Sequence, residues 1–272
     1  MRAIRTVLLA VLCGWGTGAW AASQPFPIAD FPDDSSDSGL MLSGDIALPP
    51  GAGPFPAIVL LHGCGGYTDR FRRDWPNYLN KLGYLTFTVD SFGPRGFRKC
   101  NRKLFGIRDT DRGQRDRYLA RDAYGALDFL ATVPIVDKAR IAVMGFSFGA
   151  ITVNMIASRM LRASGAPEFR AAIGFYGHCH RFAAPDDGIP LLLLIGSEDP
   201  WFRDDSRGPG CERFAGTGKV ELRVLEGAHH GFDNPRFKAP RTDLAGNTMQ
   251  YNAEATQRAR AFMKDFLARQ LR

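Results

Sequence analysis

Gly145-Phe146-Ser147-Phe148-Gly149 is the stretch whose residue types and spacing carry the most chemistry. It lies between Arg140 to Met144, which reads as a strand, and Ala150 to Leu161, which reads as a helix. A serine at a sharp strand-to-helix turn sits in a strained conformation with its hydroxyl exposed, and flanking glycines provide the room that turn needs. The helix that follows aims N–H groups and the positive end of its dipole at developing negative charge. A neutral serine is a poor nucleophile, so a base must lie within hydrogen-bond reach. Without one, the pattern is only a structural Gly-Ser turn.

The histidines are His62, His178, His180, His229 and His230. When a strand-end serine works with an acid and a base, the partners follow in the order Ser, acid, His. His229 and His230 come directly after the predicted strand that ends near Leu225, and either meets the positional requirement. The acid belongs between Ser147 and that pair, at another strand end, where Ile195-Gly196-Ser197-Glu198-Asp199-Pro200 lies. Asp199 there would accept the Nδ1–H of the histidine, fix its tautomer and stabilise the imidazolium. Glu198 is the neighbouring alternative, while Asp204 and Asp205 read as loop residues.

A fourth part is Leu60-Leu61-His62-Gly63-Cys64-Gly65-Gly66. A glycine-rich turn after a strand lets backbone N–H groups approach an oxyanion. The expected donors are the N–H groups of Cys64 and Phe148, each of a kind worth about 3 kcal/mol in a transition state. His62 reads as a brace for this loop. His178 and His180 share a face if their segment is extended, but two ligands are too few for a metal site. Neither a dinucleotide fingerprint nor a phosphate loop is present, so no cofactor is expected.

The elements that must position these residues are legible in the sequence. Ala57 to Leu61 is a continuous apolar run of strand length, which suits a parallel strand covered on both faces. Tyr84 to Val89 reads as a second buried strand, and Ala171 to Phe175, Leu191 to Ile195 and Val220 to Leu225 as further strands. Leu40 to Pro49 alternates and reads as an edge strand. Trp75 to Leu82, Arg115 to Leu130 and Ala253 to Leu271 read as helices, the first closed by Gly83. Alternating strands and helices predict an α/β fold, a mainly parallel twisted sheet with helices on both faces. Ligands then bind beyond the carboxyl ends of the strands, where every motif above falls. Residues 91–114, rich in Gly, Arg and Lys, read as an insertion over the sheet; with the loop at residues 201–218 they are expected to wall a pocket.

With 272 residues, 45% apolar and 23% charged, the chain suits one domain. Residues 1–21 resemble an export signal: basic Arg2 and Arg5, an apolar core from Thr6 to Leu12, and Ala19-Trp20-Ala21 in the small-x-small form of a cleavage site. That core is shorter than the roughly 20 residues of a membrane span. An exported protein, periplasmic or secreted, is therefore expected, with residues 22–39 as an extended or mobile lead-in and residues 40–272 as a single domain. Removing the signal lowers the net charge from +7 to +5. The basic excess is diffuse apart from Arg95 to Arg121, and no nucleic-acid module accompanies it. Attraction of anionic substrates is its functional reading. Cys64, Cys100, Cys179 and Cys211 remain after cleavage and permit two disulfides, with three pairings open.

Taken together, the sequence resembles the dienelactone hydrolase family. The resemblance rests on Leu61-His62-Gly63-Cys64-Gly65-Gly66, Asp90-Ser91-Phe92-Gly93-Pro94-Arg95-Gly96, Gly145-Phe146-Ser147-Phe148-Gly149, Gly196-Ser197-Glu198-Asp199 and Ala228-His229-His230-Gly231-Phe232. It implies the α/β-hydrolase fold, His230 as base, since the family places it immediately before Gly-Phe, and Asp199 as acid. Founding members use a cysteine nucleophile where this chain has Ser147, which favours a broader esterase. Those members hold a substrate carboxylate with arginines, which makes Arg95 the candidate for that role. Phe146 and Trp201, with Phe92 and Phe148, suggest an apolar or aromatic acyl site. The expected partner is a small-molecule ester, cleaved through an acyl-enzyme. A peptidase or acyltransferase would use the same machinery, and a non-catalytic binding protein would use the same fold.

Overall fold

The computed structural model describes residues 20–29, 39–100, 112–158, 167–179, 188–203, 210–242, 246 and 248–272. Most of the expected signal at residues 1–21, and His180, Asp204 and Asp205, lie outside these residues. Eight strands form one sheet in the order β1-β2-β4-β3-β5-β6-β7-β8. They are β1 (Trp20–Pro27), β2 (Met41–Ala47), β3 (Phe55–Leu61), β4 (Leu85–Asp90), β5 (Val136–Phe146), β6 (Ala171–Phe175), β7 (Leu191–Gly196) and β8 (Val220–Leu225). Strands β3 to β8 run parallel, while β2 is antiparallel to both β1 and β4. This is the mainly parallel sheet that the apolar runs predict.

Helices cover both faces. Ala57, Val59 and Leu61 of β3 face α2 (Arg112–Leu130) and α3 (Phe148–Ala157), within a cluster that includes Leu127, Val153 and Ile156. Ile58 and Leu60, the alternate residues, face α1 (Asp69–Lys81) and α4 (Ala253–Gln270), with Leu79, Met263 and Phe266. The period-two alternation of side chains thus feeds two cores from one strand. That is why β3 reads as continuously apolar.

Helix α1 begins at Asp69, well before the expected Trp75. The Thr68 hydroxyl accepts the Phe71 N–H at 3.2 Å and caps the helix, and Phe71 continues the buried stripe of Trp75 and Leu79 one turn earlier among charged neighbours.

Two expectations at the amino end are corrected. The segment read as a lead-in contributes β1, and the strand read as an edge, β2, is paired on both sides. Pro25 and Pro27 obscure β1 in the sequence, yet proline is tolerated on an edge strand because the missing N–H would face solvent. Phe26 and Ile28 are buried on its inner face. The segment is fastened at Ala29, whose N–H donates to the Arg121 carbonyl at 3.1 Å and whose carbonyl accepts the Arg121 Nε–H at 3.0 Å. A two-stranded pair, β9 (Arg241–Thr242) with β10 (Thr248–Met249), was not expected; two-residue strands leave no periodic signal.

Of the three cysteine pairings, the fold takes Cys64–Cys100 and Cys179–Cys211. No described helix is long and apolar enough to cross a membrane.

Candidate active site

The register of the sheet brings the motifs to one rim. Leu61 pairs with Gly145, Phe146 with Phe175, and Gly196 with Leu225, so the ends of β3, β5, β6, β7 and β8 lie side by side. Ser147 follows β5 directly, with φ 50° and ψ −113°. A non-glycine residue at positive φ costs about 1–3 kcal/mol and is held there by its surroundings. The two glycines of the turn show what those surroundings are. A Cβ on Gly145 would stand 2.3 Å from the Gly149 carbonyl oxygen, and one on Gly149 would stand 2.5 Å from that of Leu61. The turn is therefore packed backbone to backbone against the end of β3. Ser147 also donates its N–H to the Phe175 carbonyl at 2.9 Å.

A serine at a helix N-terminus ordinarily turns its hydroxyl back to cap the helix. Ser147 makes no such bond. Its Oγ lies 2.9 Å from His230 Nε2, and His230 Nδ1 lies 2.7 Å from Asp199 Oδ2. With the Nδ1 proton donated to the carboxylate, Nε2 keeps its lone pair toward the serine hydroxyl. Asp199 Oδ1 accepts the Trp201 N–H at 3.0 Å. His230 and Asp199 are each 2% exposed. A hydrogen bond between them is stronger there than it would be in water.

The loops carrying Asp199 and His230 are pinned to each other. The Glu198 N–H donates to the Ala228 carbonyl at 3.1 Å, and a Cβ on Gly196 would be 1.9 Å from that same oxygen. This crossing turns His230 inward. His229 is only partly buried, and Glu198 is exposed beside Ser197.

The glycine-rich loop after β3 passes the same turn. A Cβ on Gly63 would lie 3.1 Å from Ser147 Cβ, and Cys64 is the next residue. His62 is buried beneath the loop. Its Nδ1 donates to the Gly63 carbonyl at 2.9 Å, and its Nε2 accepts the Ser91 N–H at 3.3 Å. Desolvation lowers its pKa, only partly offset by the bond to Gly63 and the charge of Asp90. It is a neutral brace. Cys64 is fastened from outside by its disulfide and by the Cys100 N–H, which donates to the Cys64 carbonyl at 2.8 Å. Phe148 is the first residue of α3 and is buried.

Two of the three substrate-binding candidates, Arg95 and Phe146, are placed differently from expectation. Arg95 forms a bidentate pair with Asp122, at 2.9 and 2.8 Å, and also donates to the Ser91 carbonyl at 2.8 Å. Its side chain is 11% exposed and that of Asp122 is 0%. Its charge is committed to a buried partner, which corrects the expectation of a carboxylate receptor. Asp90 instead accepts the N–H groups of Phe92 and Gly93. Phe146 also departs from the expected acyl site: it is buried among Phe71, Trp75 and Phe175. Trp201 packs its ring against His230, with centroids 4.7 Å apart and an interplanar angle of 76°. Among the described residues no group of three His, Cys, Asp or Glu could hold a metal ion.

Two residues at the site escaped sequence reasoning. The Tyr176 ring lies 4.8 Å from His230, and its phenol donates to Asp233 Oδ1 at 2.6 Å. Phe175-Tyr176-Gly177 at the end of an apolar run was the available signal for the first. Asp233 had no signal beyond its nearness to His230.

A family model described as the dienelactone hydrolase family matches residues 42–271. A probable dipeptidyl-aminopeptidase B of Ajellomyces capsulatus is 34% identical over 99 residues, which are 35% of this chain and 10% of that protein. Esterase FrsA of Yersinia pestis is 32% identical over 127 residues, 46% of this chain and 27% of its own length. The chain thus matches only a minor part of either relative. A solved structure described as m3DLH is similar in fold, with a TM-score of 0.71 at 21% identity, covering 94% of this chain and 100% of its own.

Proposed function

Since the chain belongs to the dienelactone hydrolase family, we propose that it cleaves carboxylic esters of small molecules through an acyl-enzyme on Ser147. The observation that carries this reading is the continuous chain from Ser147 Oγ through the His230 ring to Asp199, at 2.9 and 2.7 Å. His230 Nε2 takes the hydroxyl proton as Oγ attacks the ester carbonyl. Asp199 stabilises the imidazolium without taking the proton itself. The N–H groups of Cys64 and Phe148 receive the oxyanion. The tetrahedral intermediate collapses when His230 gives the proton to the leaving alkoxide. Water, deprotonated by the same nitrogen, then attacks the acyl carbon, and as this second intermediate collapses His230 returns the proton to Ser147 Oγ and the acid is released. The family match and the likeness to an esterase region support this chemistry.

We also read the chain as exported. Two disulfides suit an oxidising compartment. The β1 ladder breaks register between Trp20 and Ser23 and runs without a break from Ser23 to Pro27, so cleavage after Ala21 would spare its continuous part.

Ser147→Ala tests the catalytic reading. Turnover of p-nitrophenyl acetate is expected to fall to background with the thermal unfolding midpoint unchanged. Wild-type turnover in that variant would overturn it. A fluorophosphonate probe separates enzyme from binding protein, because only an activated serine is labelled at position 147.

A further inference from the structure

Tyr176 stands outside the Ser147–His230–Asp199 chain, yet its ring packs on His230 and the carbonyl that precedes it is bonded to Ser147. Its backbone has φ 44°, a region in which a bulky L-residue is a genuine outlier. Glycine would occupy that region without strain. A tyrosine there points to a use for the side chain, since strain of this kind persists only where the surroundings hold it.

Its backbone and its ring each do something specific. The Tyr176 N–H donates to the Leu194 carbonyl at 2.7 Å, which holds the end of β6 to β7. The preceding carbonyl, of Phe175, is turned to accept the Ser147 N–H. The ring meets the His230 imidazole edge to face, at 64°. The phenol is fixed in turn by Asp233, whose other oxygen accepts the Trp75 Nε1–H at 2.9 Å and whose carbonyl accepts Arg70 at 2.9 Å. Asp233 lies three residues past His230, so this carboxyl ties the base loop to the end of β6. Burial, reinforced by the charge of Asp233, holds the phenol well above its ordinary range, so it remains a donor.

We infer that Tyr176 is a positioning residue that sets nucleophile and base relative to each other: its strained backbone holds Ser147 through the Phe175 carbonyl, and its ring, locked by Asp233, holds the His230 imidazole. The inference rests on the reading of Ser147 and His230 as nucleophile and base.

The test uses Tyr176→Phe, Asp233→Asn and the double variant of the full chain, with p-nitrophenyl acetate as substrate. Each single variant should lose about tenfold in kcat with KM little changed, as expected when an interaction serves the reaction rather than binding. The double variant should lose less than the two single losses combined, because the phenol–carboxylate hydrogen bond is common to both changes. Fluorophosphonate labelling of Ser147 should slow in proportion. Wild-type kcat in Tyr176→Phe, a loss confined to KM, or additive losses in the double variant would each overturn the inference. If one variant fails to fold, as judged by its unfolding midpoint, kcat in the other decides. The parent reading fails separately: Ser147→Ala would then keep its activity, or the unsubstituted protein would resist the probe.

Discussion

Cys64 and Cys100 are joined twice, once through their sulfurs and once through the Cys100 N–H and the Cys64 carbonyl. The pairing fastens the loop whose Gly63 abuts Ser147 to the segment that follows β4. Position 64 is thus held from both sides, by His62 beneath and by Cys100 beyond.

Cys100→Ser should therefore affect both rate and stability. With the Cys64 N–H in its proposed role as an oxyanion donor, loosening it forfeits part of about 3 kcal/mol in the transition state, so kcat should fall at least several-fold with KM little changed. Loss of the cross-link should also lower stability by about 2–4 kcal/mol. Steady-state kinetics and denaturant unfolding of the same sample check both. An unaltered kcat would show that the loop holds its shape without the disulfide.

Arg95→Ala should destabilise the protein rather than alter its choice of ester. It leaves Asp122 buried without its bidentate partner, a change expected to cost about 3–5 kcal/mol. Replacing both members, as Arg95→Met with Asp122→Leu, should cost less than Arg95→Ala alone. Unfolding free energies measure this. The ratio of rates on carboxylate-bearing and neutral esters should stay the same, and a selective loss on the charged ester would restore Arg95 as an anion receptor.

Stability should fall with acid through His62. Its pKa in the fold is depressed by burial below the ordinary value of about 6.5, so below that pH the unfolded chain binds more protons than the native one. Its contribution is intact above about pH 6.5 and is lost progressively as pH falls from there toward the depressed value. His62→Asn, which does not titrate, should be less stable at pH 8 but should show a flatter decline between pH 6.5 and 5. Chemical denaturation across that range is the measurement, and parallel declines in the two proteins would exclude His62 as the source.

Much of the scaffold was readable because its signals are local. A strand covered on both faces must be apolar throughout, so β3, β6 and β7 stand out as runs. The turn around Ser147 needs glycine on each side, and that need is written in five consecutive residues. Strand β1 was hidden because its prolines are excluded from strand interiors but accepted at an edge, and nothing in the segment says which it will be. The α1 start was hidden because a single apolar residue, Phe71, marks a first turn otherwise made of charged residues.

The sequence by itself determined the layered sheet, the position of the Ser147 turn, and the strand-end segments that hold Asp199 and His230. Tertiary structure alone decided which members of those segments meet. His229 and His230 are adjacent and chemically identical, and the one that turns inward is set where the Ala228 carbonyl crosses a Gly196 that has no side chain to block it. Arg95 finds Asp122 across 27 positions, Tyr176 finds Asp233 across 57, and the cysteines pair across 36 and 32. Such choices depend on distances through space between segments far apart in the chain, and a linear pattern holds no record of those distances until the sheet has closed around its two cores.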